Sequence, residues 1–141
     1  MNELKHYLDK EGVLGVVRSV AGDIRLFRRR GVIDLYTLLA NEPAFMRRGS
    51  MADKVIGRGA ALLLVKGGIA EVYARVISSS ALDVLRSSHV SVTFDMEVEH
   101  IINRDATGIC PVEKLTSHIS DPEEAYSLIG DFLQRMNIGT P

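Results

Sequence analysis

Two strand-like runs closely flank a short helix: Ile69 to Ile77, then Ser80 to Ser87 as the helix, then Val90 to Phe94. Strands joined through a helix over so short a distance pair in parallel, with a right-handed crossover. The chain is therefore expected to build an α/β domain around a partly parallel sheet. Ser80 with Asp83 has the form of a capping box at the start of the intervening helix.

The flanking segments extend this frame. Residues 2–10 predict a short amphipathic helix with Leu4, Tyr7 and Leu8 on one face, stopped at Gly12. Val13 to Val20 and Ile24 to Arg30 predict a hairpin turning at Ala21-Gly22-Asp23, with Gly31 breaking its second strand. Val32, Leu35, Tyr36 and Leu39 recur at helical spacing until Asn41 and Pro43. Ser50 is expected to cap a long helix from Met51 to about Lys66, closed by Gly67-Gly68. Gly57 and Gly59 would lie inside that helix, where each costs about 1 kcal/mol relative to alanine, and close approach to a sheet would offset it. Pro111 opens a short helix reaching about His118. Asp121-Pro122-Glu123-Glu124 starts a last one, whose buried face would run through Ala125, Leu128, Ile129, Phe132, Leu133 and Met136.

A length of 141 residues fits a single domain over 1–141 with no linker or repeat. One cysteine cannot form an internal disulfide, so a reducing, cytoplasmic setting is the expectation. The run Ala60 to Val65 is too short to span a bilayer, and no signal-like start is present, so no membrane partner is expected. Residues 1–75 carry 13 Lys and Arg against 8 Asp and Glu; residues 76–141 carry 4 against 10. The basic half, with Arg25, Arg28, Arg29, Arg30, Arg47 and Arg48, could serve an anion or nucleic acid, but aromatics do not interleave it. That argues against nucleic acid as a partner.

The order helix, hairpin, long helix, strand, helix, strand resembles the cytidine-deaminase-like superfamily. Met51-Ala52-Asp53-Lys54-Val55-Ile56-Gly57 through Gly67-Gly68, followed by Ile102-Asn103-Arg104-Asp105 and Cys110-Pro111-Val112-Glu113, is similar to a small prokaryotic branch known only as a domain of unknown function. The resemblance covers about residues 10–135. It implies a three-layer α/β/α fold with a mixed sheet, an antiparallel hairpin beside parallel βαβ strands. Active deaminases of this superfamily begin one helix with His-Ala-Glu or Cys-Ala-Glu and the next with Pro-Cys-x-x-Cys, binding a zinc that activates water. Here Met51-Ala52-Asp53 and Ile77-Ser78-Ser79-Ser80-Ala81 stand in those places. They provide at most one carboxylate where about three ligands are needed. Neither a metal nor another cofactor is expected.

Several residues admit two readings. Asp53 would complement a helix dipole and Lys54 would be solvated, or both would line the retained pocket with free N–H groups ready for an anion. Ser78, Ser79 and Ser80 are ordinary capping residues or holders of a phosphate or carboxylate. Asn103, Arg104, Asp105, Thr107 and Gly108 form a self-bonded turn, or Arg104 reaches a ligand anion with its planar fork. Cys110, three residues before Glu113, is a buried thiol or an activated nucleophile. The resulting expectation is a zinc-less domain binding a small anionic or nucleoside-like ligand through Asp53, Lys54, Ser78, Ser79 and the segment Asn103 to Glu113. The alternatives are a metal-independent enzyme using Cys110 as nucleophile or Asp53 as base, and a homo-oligomeric scaffold.

Overall fold

The computed structural model describes residues 1–102 and 111–136. The elements are α1 (Asn2–Tyr7), β1 (Gly15–Arg18), β2 (Ile24–Phe27), α2 (Ile33–Asn41), β3 (Ser50–Ile56), α3 (Arg58–Gly67), β4 (Glu71–Ser78), α4 (Ser79–Ser87), β5 (Ser91–Val98), α5 (Pro111–Leu115) and α6 (Pro122–Arg135). The strands form one mixed sheet in the order β2-β1-β3-β4-β5. β1 is antiparallel to both β2 and β3, whereas β3, β4 and β5 are parallel. The hairpin, the βαβ unit and the closing helix follow the sequence expectations.

One expectation is overturned. Met51 to Ile56 is not the first half of a helix but strand β3, at the centre of the sheet. Buried Met51, Ala52 and Ile56 fit a helical stripe and a strand covered on both faces equally well, and pairing with β1 and β4 selects the strand. Ser50 accordingly caps nothing; its hydroxyl donates to Glu71 at 3.2 Å. Helix α3 begins after Gly57, whose extended backbone ends the strand and opens the helix, and Gly68 closes it with φ 77°. Gly59 lies in the helix, yet its bare face meets Val112 of α5 and Ile129 of α6 rather than the sheet.

Smaller differences concern the ends. Ser78, not Ser80, caps α4, its hydroxyl accepting the Ala81 N–H at 3.1 Å. α5 stops at Leu115, and Met136 is exposed while Ala125, Ile129 and Leu133 are buried. α1 and the residue that follows it cover one sheet face, with Leu4 and Leu8 against Val16, Ala52 and Tyr73. The larger core, on the other face, joins Met51, Val72 and Ala74 to α2, α3, α4 and α6. The layers are thus α1, sheet, helices. No described helix is long and apolar enough to cross a membrane.

The strands change phase partway along. Val72 and Ala74 lie in the larger core and Tyr73 under α1, so strict alternation would turn Ile77 toward α1. Ile77 is instead buried in the larger core, and Ile56 departs from Met51 in the same way. Pairing runs through Asp53, Ala74 and Phe94 and resumes at Val55, Val76 and Met96. The change therefore falls at one level in β3 and β4, around Lys54 and Arg75, with Asp95 of β5 abreast of them.

Candidate functional site

The carboxyl ends of β3 and β4 run straight into α3 and α4, and two charged residues tie this edge together. The Glu113 side chain, from α5, is 5% exposed and accepts N–H bonds from Arg58 at 3.3 Å and from Ile101. α3 has no cap of its own, and this carboxylate supplies one, where the helix dipole favours negative charge. Arg58 donates from Nε to the carbonyls of Thr116 at 2.8 Å and Ile119 at 3.0 Å, and from Nη1 to the Ser80 hydroxyl at 2.8 Å. Ser79 donates to Glu97 at 2.6 Å. The chain's own groups thus engage Ser78, Ser79 and Glu113.

Asp53 and Lys54 lie mid-strand, not at a helix start. Asp53 belongs to a row crossing all five strands: Phe27, Gly15, Asp53, Ala74, Phe94. Its carboxyl packs over Gly15, where a Cβ would meet Oδ2 at 3.0 Å, and Oδ1 accepts the Val55 N–H at 3.1 Å. Burial pushes this carboxyl up to about 7, while the Val55 and Lys54 N–H groups and the Lys54 charge oppose the shift. A carboxyl raised on folding favours the fold while protonated. Stability from Asp53 is therefore full below about pH 4 and lost as pH rises through about 7. Asp53→Asn, which keeps the acceptor, should stabilise the protein at pH 8 by about 2 kcal/mol after allowance for solvent screening, and leave it unchanged at pH 4. Urea unfolding at the two pH values measures this; equal effects at both would refute it.

Asn103, Arg104, Asp105 and Cys110 lie outside the described residues. Of the groups expected to converge, Ser80 and Glu113 meet through Arg58, while Asp53 is four residues short of the edge at Gly57. The residues opening α3 are Gly57-Arg58-Gly59, not Met51-Ala52-Asp53 as expected, and they offer no imidazole or thiolate. Among the described residues no three His, Cys, Asp or Glu side chains gather as a metal set.

A recess that sequence reasoning missed lies on the opposite sheet face, between α1 and β5. It holds about 410 Å³ and is lined by Asn2, Lys5, His6, Asp9, Tyr73, Arg75 and Asp95. The Tyr73 hydroxyl donates to Asp95 at 2.5 Å, Arg75 pairs with Asp9 at 2.8 Å, and the Lys5 ammonium sits 4.2 Å from the Tyr73 ring centre. Burial and the neighbouring Asp95 both raise the Tyr73 phenol above its usual value. Lys54 stands beside Arg75 in the strand register, between the Asp53–Ala74 and Val55–Val76 pairs. The only sequence signal was a polar alternation along β4 and β5, which is ordinary for a half-open sheet. Of the basic half, Arg25 grips Glu42 through two bonds of 2.8 and 3.0 Å and Arg29 pairs with Asp34 at 2.6 Å, while Arg28, Arg30, Arg47 and Arg48 are exposed.

A crystal structure of a DUF1893 family protein (TM1506) from Thermotoga maritima superposes with a TM-score of 0.83 at 22% identity, over 93% of this chain and 88% of that one. This likeness concerns the fold. No curated protein matches the chain. The family model TM1506, a domain of unknown function (DUF1893), matches residues 3–133, and the chain belongs to that family.

Proposed function

We propose that this domain binds a small anionic ligand in the recess between α1 and β5. Lys5 and Arg75 supply the charge, Lys54 lies next to them, and Tyr73 and Asp95 take hydrogen-bonding groups. The recess itself carries the reading. Its volume suits a metabolite-sized ligand, and its lining offers cations, carboxylates and a phenol within one concavity. Lys5 faces a ring rather than a carboxylate and is free to pair with an incoming anion. This relocates the site from the strand ends to the α1 face. Of the residues expected from sequence, Lys54 stays next to it, whereas Asp53 shares its row with the larger core. A resemblance to the deaminase-like superfamily, expected from the sequence, would add nucleosides and nucleotides to the ligands worth testing.

A thermal-shift screen of nucleotides, sugar phosphates and di- and tricarboxylates is the test. At least one should raise the melting temperature, and Arg75→Ala should weaken it about tenfold, as loss of a charge-assisted bond implies. The substitution alone should cost little, since the exposed Arg75–Asp9 pair is worth at most about 1 kcal/mol. If no anion stabilises the protein, or Arg75→Ala binds equally well, the reading fails.

Asp53 supports a second reading, in which it acts as a metal-independent general base. A carboxyl held near neutrality is suited to proton transfer at physiological pH.

A further inference from the structure

We infer that the ligand of this recess carries an apolar group beside its anion, and that Val55, Val76 and Met96 receive it. The inference rests on the recess reading and narrows it. These three residues are paired in register across β3, β4 and β5, one position beyond Lys54, Arg75 and Asp95. Val55 is 47% and Met96 57% exposed. Single exposed apolar residues are unremarkable, but here two exposed ones flank half-buried Val76 in one row next to a charged concavity. Neighbouring strands lie about 4.8 Å apart, so the row is about 10 Å wide, the width of a ring or a branched chain. The phase change accounts for its exposure. Ile56 and Ile77 turn under the helices, and the positions just before them are left without a covering element. A bare phosphate or polyol would leave this row wet; an aromatic or branched acid would cover it while its carboxylate meets Arg75 and Lys5.

The test is a titration of the 15N-labelled full chain with phenylacetate, acetate and inorganic phosphate, followed by backbone amide shifts. Phenylacetate should bind about tenfold more tightly than acetate, as partial burial of a ring implies, and should move amides at 54–56, 75–77 and 95–97. Met96→Gln should bring the two acids to within about twofold while acetate binding is unchanged. Equal affinities in the wild type, or shifts confined elsewhere, overturn the inference. If phosphate alone moves the amides of Lys5 and Arg75, the recess reading stands and the apolar group does not. If none of the three perturbs the recess, both fall for these ligands. Concentration-dependent dimerisation abolished by Met96→Gln, with the acids equal, would assign the row to a second copy and overturn the inference.

Discussion

Replacing Glu113 by alanine is expected to cost about 3 kcal/mol of folding stability, because two N–H donors lose their shared acceptor in a site nearly closed to water. The donors belong to Arg58, the first residue of α3, and to Ile101 beyond the end of β5, so the loss would be felt in two parts of the chain at once. Glu113→Gln keeps one acceptor but turns its NH2 toward the other donor and gives up the charge that the helix dipole favours, and should cost about 2 kcal/mol. Chemical denaturation of both variants checks the order. An alanine variant as stable as wild type would mean that solvent replaces the carboxylate, and the capping account would be wrong.

Gly49→Ala should be comparably damaging for a different reason. A Cβ at this position would collide with the carbonyl oxygen of Arg18, which is backbone and belongs to β1, and would press on the Met46 carbonyl at 3.1 Å. Gly49 also accepts the Ala70 N–H at 3.0 Å, joining the start of β3 to the chain entering β4. A backbone collision is not relieved by a rotamer change, so the cost should reach about 3 kcal/mol, the upper range for overpacking. The Gly22→Ala control, at a hairpin glycine with open space but φ 97°, should cost only what that backbone angle imposes, about 1 kcal/mol. Thermal unfolding of the pair distinguishes the two. Equal losses would show that the β1 end yields easily.

The parts of the fold legible from sequence are those set by local chemistry. Asp121 and Pro122 announced α6 because a cap and a first-turn proline act within four residues. The βαβ unit was legible because a helix between two strands carries the chain back to start a parallel neighbour. Strand β3 was not, since Met51, Ala52 and Ile56 satisfy helical spacing as well as a strand buried on both faces. Only its partners β1 and β4 distinguish them. The same limit hid the recess: Lys5, Arg75 and Asp95 come from α1, β4 and β5 and form no motif along the chain. Glu113 was legible as an acidic residue in a helix's first turn. That it caps a different helix, 55 residues earlier in the chain, is a property of packing alone.

The abrupt passage from strand to helix bears on how this family can diversify. One residue separates β3 from α3 and none separates β4 from α4. In α/β proteins, new specificities usually arise by lengthening the loops at the carboxyl ends of the strands. Here two of the three such positions offer no loop to lengthen, and an insertion at either would pull Ile56 or Ile77 from beneath the helix that follows. Variation at this edge has one remaining outlet, the chain that leaves β5 after Val98. Elsewhere, novelty must come by substitution on surfaces already built.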